Sequence, residues 1–427
     1  MIAAYRFFNN DKLTMEALQA ALVDPIQPQV EGKHVLCIQD TTEVNYTAHS
    51  GRLNASDPEL GPVSNDRDVG FFLHPSLVLD AASGFALGFA DVHLWNRQWD
   101  KLDKHERDYK RLPIEQKESF RWIEAAQQAK LQLNKAAQVT LIADREADIY
   151  QLFSRLPDTR MQLLIRSRGE RRIRVGGAEG LLSEHLSGLD WAGEIKIKIR
   201  GTHRRKKRRA RLQVRFSRVE LLRPCCAKEE PVEAVGVYVV EVVERAETVP
   251  STEEPIRWCL YTTHRVETLA DALAMIGYYC RRWQIEQLFR LLKSESLELE
   301  SSQLERGAAL KKLCIMSLQV ALVQLQLVTE RAGSAAVEAS LVFSGSAQVF
   351  LGVLQSQLEG KTKKQQCAHG VGSLAWASWV IGRLGGWKGY ASQSPPGPIT
   401  MRRGLERFMS QFSGWHLAQV MQTKQYA

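Results

Sequence analysis

No apolar run of 18 or more residues occurs in this 427-residue sequence, so no segment reads as a membrane-spanning helix. The first residues, MIAAYRFFNNDK, break from a short apolar stretch into Asn-Asn-Asp, which is not the pattern of a secretory leader. The seven cysteines (37, 225, 226, 259, 280, 314 and 367) are odd in number and form no CxxC pair. That argues against a disulfide framework and a thiolate zinc site. Most cysteines sit in apolar company, as Cys37 does in VLCIQD and Cys314 in LCIMS, and read as small core residues suited to a reducing cytoplasm. There is no GxxxxGK loop, no GxGxxG fingerprint and no internal repeat, so nucleotide-driven chemistry has no support.

Acidic residues are the minority, 48 against 57 Lys+Arg, for a net charge of +9. With 44% hydrophobic and 25% charged residues, the composition is that of an ordinary globular protein, long enough for two or three domains. The excess charge is concentrated. Residues 160–223 hold 19 Lys/Arg against 6 Asp/Glu, a net of +13, which leaves the rest of the chain acidic. At the centre, residues 203–211 (HRRKKRRAR) carry seven formal positive charges in nine positions. Such a cluster suits a polyanion, because each phosphate it neutralises releases a counterion. A solvated hairpin tip without a partner has the same composition. The flanking runs IKIKIR and RLQVRFSRVEL alternate like strands, which makes a basic β-ribbon and favours DNA.

Along the chain, residues 11–24 predict a short amphipathic helix on Leu13, Leu18 and Leu22. HVLCIQ (34–39) and QVTLIA (138–143) predict buried strands ending at Asp40 and Asp144. Residues 71–80 and 84–93 predict an antiparallel pair, 117–134 and 145–156 helices, and 161–166 another strand. Residues 191–265 are strand-rich, 268–294 and 307–330 helical, 331–374 mixed, and 401–423 helical after a Pro-Pro-Gly-Pro break.

Acids at strand ends are placed where ligands bind in α/β sheets. Asp40 and Asp144 are two such acids, and Glu286 in YYCRRWQIEQLFRLLK is a third. Three converging carboxylates can hold two hard divalent ions of the kind that carry phosphodiester chemistry. Each also has an ordinary structural reading: Asp40 as a turn cap, Asp144 as one of three acids with Glu146 and Asp148, Glu286 as half of a helix ion pair. Tyr279, Arg282, Glu286 and Lys293 fall at offsets 0, 3, 7 and 14, one stripe of a continuous helix. A carboxylate flanked by Tyr, Arg and Lys fits a metal ligand whose neighbours grip phosphates. An exposed face of ion pairs fits the spacing too. The opposite face, with Ile276, Cys280, Leu288 and Leu291 or Leu292, is expected to be buried.

These segments resemble the IS4 family of bacterial transposases, and within it the Tn5-like members. The resemblance is carried by Ala4-Tyr-Arg-Phe-Phe, Ile38-Gln-Asp-Thr-Thr, Asp144-Arg-Glu-Ala-Asp-Ile and Tyr279-x2-Arg282-x3-Glu286-x6-Lys293, the family's YREK signature in every spacing. Gly372-Ser-Leu-Ala-Trp and Arg383-Leu-Gly-Gly extend it towards the C-terminus. It implies an α/β, RNase H-like (retroviral integrase-like) catalytic core over 31–305 with a β-rich insertion at about 168–260. A remnant N-terminal helical segment (1–30) would precede the core, and an α-helical dimerisation domain (306–427) would follow it. It also implies a DDE triad of Asp40, Asp144 and Glu286 that binds two Mg²⁺ ions, with Mn²⁺ as a substitute.

By the same resemblance, Tyr279, Arg282 and Lys293 contact phosphates near the cleaved end. Trp258 receives a flipped base, although in PIRWCLYTT it also reads as a core aromatic. Arg166 and Arg168 match a DNA-contacting Arg-Ser-Lys segment, with Arg in place of Lys. The expected activity is cut-and-paste transposition on double-stranded DNA, both transposon ends and target, through a hairpin intermediate. The expected setting is a homodimer in the bacterial cytoplasm. Full-length family members carry a DNA-binding domain ahead of AYRF, which here begins three residues after Met1. That departure leaves a second expectation, a shortened chain that dimerises and inhibits. A plain RNase H-like nuclease is a weaker third, since it has no need of the YREK residues.

Overall fold

The computed structural model describes residues 2–54, 56–64, 67–99, 112–199, 207–390 and 393–425. Among them the strands are β1 (His34–Gln39), β2 (Thr42–Asn45), β3 (Gly61–Pro62), β4 (Val69–Asp80), β5 (Ala86–Trp95), β6 (Gln138–Ala143), β7 (Met161–Arg166), β8 (Arg172–Val175), β9 (Ala178–Leu181), β10 (Gly193–Ile199), β11 (Arg208–Leu222), β12 (Ala234–Glu244) and β13 (Arg257–Thr262). The helices are α1 (Ile2–Phe8), α2 (Met15–Val23), α3 (Ile26–Val30), α4 (Arg121–Gln132), α5 (Tyr150–Arg155), α6 (Leu182–Ser187), α7 (Leu269–Cys280), α8 (Trp283–Arg290), α9 (Gly307–Glu330), α10 (Gly345–Leu358), α11 (Leu374–Leu384) and α12 (Pro398–Gln425).

All the strands join one mixed sheet. β1 and β6 are apolar on both faces, as strands covered on both sides must be. They pair in parallel, Ile38 beside Ile142, and β6 pairs in parallel with β7. On the other side of β1, β4 and β5 form an antiparallel hairpin, so this part of the sheet reads β5-β4-β1-β6-β7. One face packs Val35, Cys37, Val139 and Leu141 with Trp122, Ile123 and Ala126 of α4. The other packs Leu36, Ile38, Ile142 and Leu164 with Met275, Ile276, Ile285 and Leu288 of α7 and α8, and with Leu318 of α9.

The strand-rich stretch expected near 168–260 continues this sheet through β13, β12 and β11 to β8 and β9, with β10 hairpinned onto β11. Ile195, Ile197, Ala210, Leu212 and Val214 face inward, and Lys196, Lys198 and Arg209 face out. Residues 203–206 of the basic run lie outside the described residues.

Helix α9 is long and apolar enough to cross a membrane by length and composition. Most of it is instead buried in this protein, against α2, β5, α8, α11 and α12. Helices α11 and α12 touch backbone to backbone: a Cβ on Gly404 would stand 1.9 Å from the Ile381 carbonyl oxygen.

Three expectations are corrected. The helix foreseen over 268–294 is broken. A capping box of Thr268 and Asp271 starts α7, which ends at Cys280. The amides of Arg281 and Arg282 then donate to the carbonyls of Tyr278 and Tyr279, three residues back, which tightens the turn before α8. A π-helical turn, Leu291–Glu295, follows. The stripe is therefore not continuous: Tyr279 is buried and Cys280 is exposed, the reverse of the expected faces. Second, Cys37 and Cys314 are core residues, but Cys225 and Cys226 are exposed, as is Cys280. Third, residues 145–156 hold only a short 3₁₀ turn and α5 rather than one helix, because Asp144 caps the turn and the chain bends at Asp148.

Candidate active site

Asp40 and Asp144 leave the C-terminal ends of neighbouring parallel strands in matching register. Their backbones are fixed locally. Asp40 Oδ1 accepts from the Thr41 amide at 2.8 Å and Asp144 Oδ1 from the Glu146 amide at 2.9 Å. The other acids of this loop are engaged elsewhere. Glu146 pairs with Arg121 at 2.9 Å, and Asp148 pairs with Arg171 and accepts from the Arg168 amide.

Helix α8 carries Glu286, and Arg282, one turn earlier, joins it to Asp40. Its Nη1 donates to Asp40 Oδ2 at 2.8 Å and its Nη2 to Glu286 Oε1. The Asp40 carboxyl is pushed up to about 6, first by burial. Arg282 opposes that rise, and the charges of Asp144 and Glu286 add to it. Three carboxylates thus share one field, with a guanidinium among them.

Three hard carboxylates, with no thiolate or imidazole, suit Mg²⁺ or Mn²⁺. As the side chains stand, no three His, Cys, Asp or Glu among the described residues are arranged to hold an ion.

Around this centre lie further residues singled out in the sequence. Tyr279 packs beneath Arg282, whose guanidinium carbon is 6.0 Å from the ring centroid. Burial raises its phenol above the usual range, and Arg282 and Arg166 oppose the rise. The ring of Trp258, on β13, lies 6.1 Å from that of Tyr279 at 57°. It is half-buried, so one side packs against the core. Arg166, at the end of β7, donates to the Arg257 carbonyl at 3.2 Å. Together with Arg145, Arg168 and Arg257 it lines an open cavity of about 350 Å³. Lys293 lies in the π turn, paired with Glu300 at 3.3 Å.

The Thr41 hydroxyl, next to Asp40, is 2.8 Å from Nδ1 of the fully buried His74 and accepts from Arg121 Nε at 3.4 Å. Burial, and then the charge of Arg121, holds the His74 imidazole well below its usual range, so it is neutral. This chain braces the turn that carries Asp40. Its only signal in the sequence is a histidine inside the apolar run FFLHPSLVLD.

Residues 116–323 match the protein family described as "Transposase DDE domain". The match takes in Asp144, Glu286 and everything between them and leaves Asp40 outside. It supports a transposase of the DDE class. Among solved structures, a piggyBac transposase synaptic complex with hairpin DNA is similar at 7% identity and a TM-score of 0.30. The alignment covers 78% of this chain and 59% of that one.

Proposed function

We propose that this chain is a Tn5-like member of the IS4 transposases, with an RNase H-like core and a DDE triad of Asp40, Asp144 and Glu286. The observation that carries the reading is the placement of two aspartates at adjacent parallel strand ends, one of which, Asp40, is bound through Arg282 to a glutamate from α8. The strand order β5-β4-β1-β6-β7 supports the core assignment.

The three carboxylates would hold two Mg²⁺ or Mn²⁺ ions, which when bound activate the attacking oxygen and stabilise the leaving one. In the proposed sequence, water breaks the phosphodiester at an element end and frees a 3′-OH. The 3′-OH attacks the opposite strand to form a hairpin, and water reopens it. The freed 3′-OH then attacks target DNA. Arg282 and Tyr279 hold the phosphate next to the scissile bond, with Lys293 further along the strand. Arg166 and Arg168 hold the backbone beyond, and Trp258 offers its free face to an unstacked base.

Residues 31–305 form the catalytic unit in this reading, with the insertion at about 168–260 presenting a basic face to DNA and 1–30 as a helical lead-in. Residues 306–427 supply the homodimer contact, supported by the exposed Met409, Leu417 and Met421 of α12. The protein would act in the bacterial cytoplasm, where its DNA is.

Glu286→Gln keeps the side-chain volume and removes the ligand charge. It is expected to abolish Mg²⁺-dependent cleavage of a plasmid carrying the parent element's ends. DNA binding is expected to be retained, since the cations that grip the phosphates are untouched. Undiminished cleavage by this variant would refute the triad.

A further inference from the structure

Part of the charge that a divalent ion would neutralise is already answered from within. Arg282 is only 13% exposed, with one arm on Asp40 and the other on Glu286. The face of Tyr279 lies under it. No other cation is set to replace it there from the same turn: Arg281 points away, donating to the carbonyls of Asp80, Ala81 and Ala82.

We propose that Arg282 is an internal counter-cation that closes the acidic site in the absence of DNA. A backbone phosphate entering the site draws the guanidinium off and frees Asp40 and Glu286 for a divalent ion. This rests on the triad reading above. A guanidinium fork matches phosphate as well as it matches carboxylate, so the exchange replaces one charge-assisted pair with another. An ion entering while Arg282 stays would meet a like charge at close range in a half-buried site. Metal uptake and DNA binding are therefore coupled, and the coupling is reciprocal. The chain does not assemble a charged cutting centre until its substrate is present.

The test is Mn²⁺ binding to the DNA-free full chain at pH 8, followed by the electron paramagnetic resonance of the free ion. Wild type is expected to bind weakly. Arg282→Ala is expected to bind at least about tenfold more tightly, the scale of one charge-assisted pair removed from the competing carboxylates. Arg282→Gln, which keeps amide donors for the carboxylates without the charge, guards against a failure of the alanine variant to fold and is expected to shift the same way. Adding Asp40→Asn to either variant is expected to remove the gain. Folded Arg282 variants that bind Mn²⁺ no better than wild type overturn the counter-cation. If in that case Asp40→Asn alone still weakens binding, the triad reading survives. A gain that persists with Asp40→Asn places the ion elsewhere and overturns both.

Discussion

Thr140 has one hydroxyl and two imidazoles to satisfy: His34 Nε2 lies 2.8 Å from its Oγ1 and His264 Nε2 lies 2.7 Å away. The hydroxyl can donate to one ring and accept from the other, and a ring that accepts from it must be neutral. Burial is the largest cause lowering both, and it takes His264 to about 4. A folded-state value below the ordinary 6.5 means stability that is present above pH 6.5 and lost as pH falls towards 4. The loss is at most about 3 kcal/mol for His264. Asp40 and Asp91, raised to about 6 chiefly by burial, act oppositely and gain stability as pH falls through that value. The quantity to measure is therefore the difference between His264→Gln and wild type in urea midpoint. The variant is expected to lose less stability between pH 6.5 and 4; identical pH profiles would show that His264 does not titrate in this window.

At the scale of elements, the β11–β12 ladder neutralises much of what looked like a basic run. Glu241, fully buried on β12, accepts from Arg215 at 2.7 Å and from Arg257 at 2.8 Å. Glu244 pairs with Arg208, and Glu194 with Arg211 and Arg245. Removing Glu241 strands Arg215, whose side chain is 12% exposed, whereas without Arg257 the buried Glu241 keeps Arg215 as its partner. Glu241→Ala is expected to lower unfolding free energy by about 3 kcal/mol. Arg257→Ala, whose side chain is 61% exposed, is expected to lower it by less than about 1 kcal/mol. Denaturant melts of both variants check the contrast, and equal losses would refute it. The sequence showed the cations of residues 160–223 as a block because the acids that answer Arg208, Arg211 and Arg215 include Glu241 and Glu244, brought alongside by the β11–β12 pairing, and Glu247 from the turn that follows β12, all beyond that block.

Across the whole molecule, one sheet links the acidic centre to an outer basic face. Lys196, Lys198 and Arg209 have no carboxylate partner among the described residues, and they share the outward side of the β10–β11 hairpin. If DNA lies along this face, replacing all three by Gln makes the slope of log affinity against log salt shallower by up to about 2.7, or about 0.9 for each phosphate no longer neutralised. A salt titration of duplex binding measures it, and an unchanged slope would put the DNA on another face.

Local sequence by itself determined the strands that carry Asp40 and Asp144. HVLCIQ and QVTLIA are short, apolar on both faces and end in a charge, and both appear with the bounds their hydrophobicity dictates. The β4–β5 hairpin was legible for the same reason, since a Gly-containing turn divides two apolar runs. Helical spacing brought Arg282 and Glu286 to one side, four residues apart, and that held because the pair lies within one turn at the start of α8. It did not carry Tyr279 and Lys293 along. A tightened turn and a π turn reset the phase on either side of α8, where the segment packs across α9. Only the tertiary structure decided that Arg282 reaches Asp40, 242 residues away in sequence, and that His74 braces Thr41. Both pairs join residues from distant parts of the chain, and no local periodicity encodes a distance that exists only once the sheet has formed.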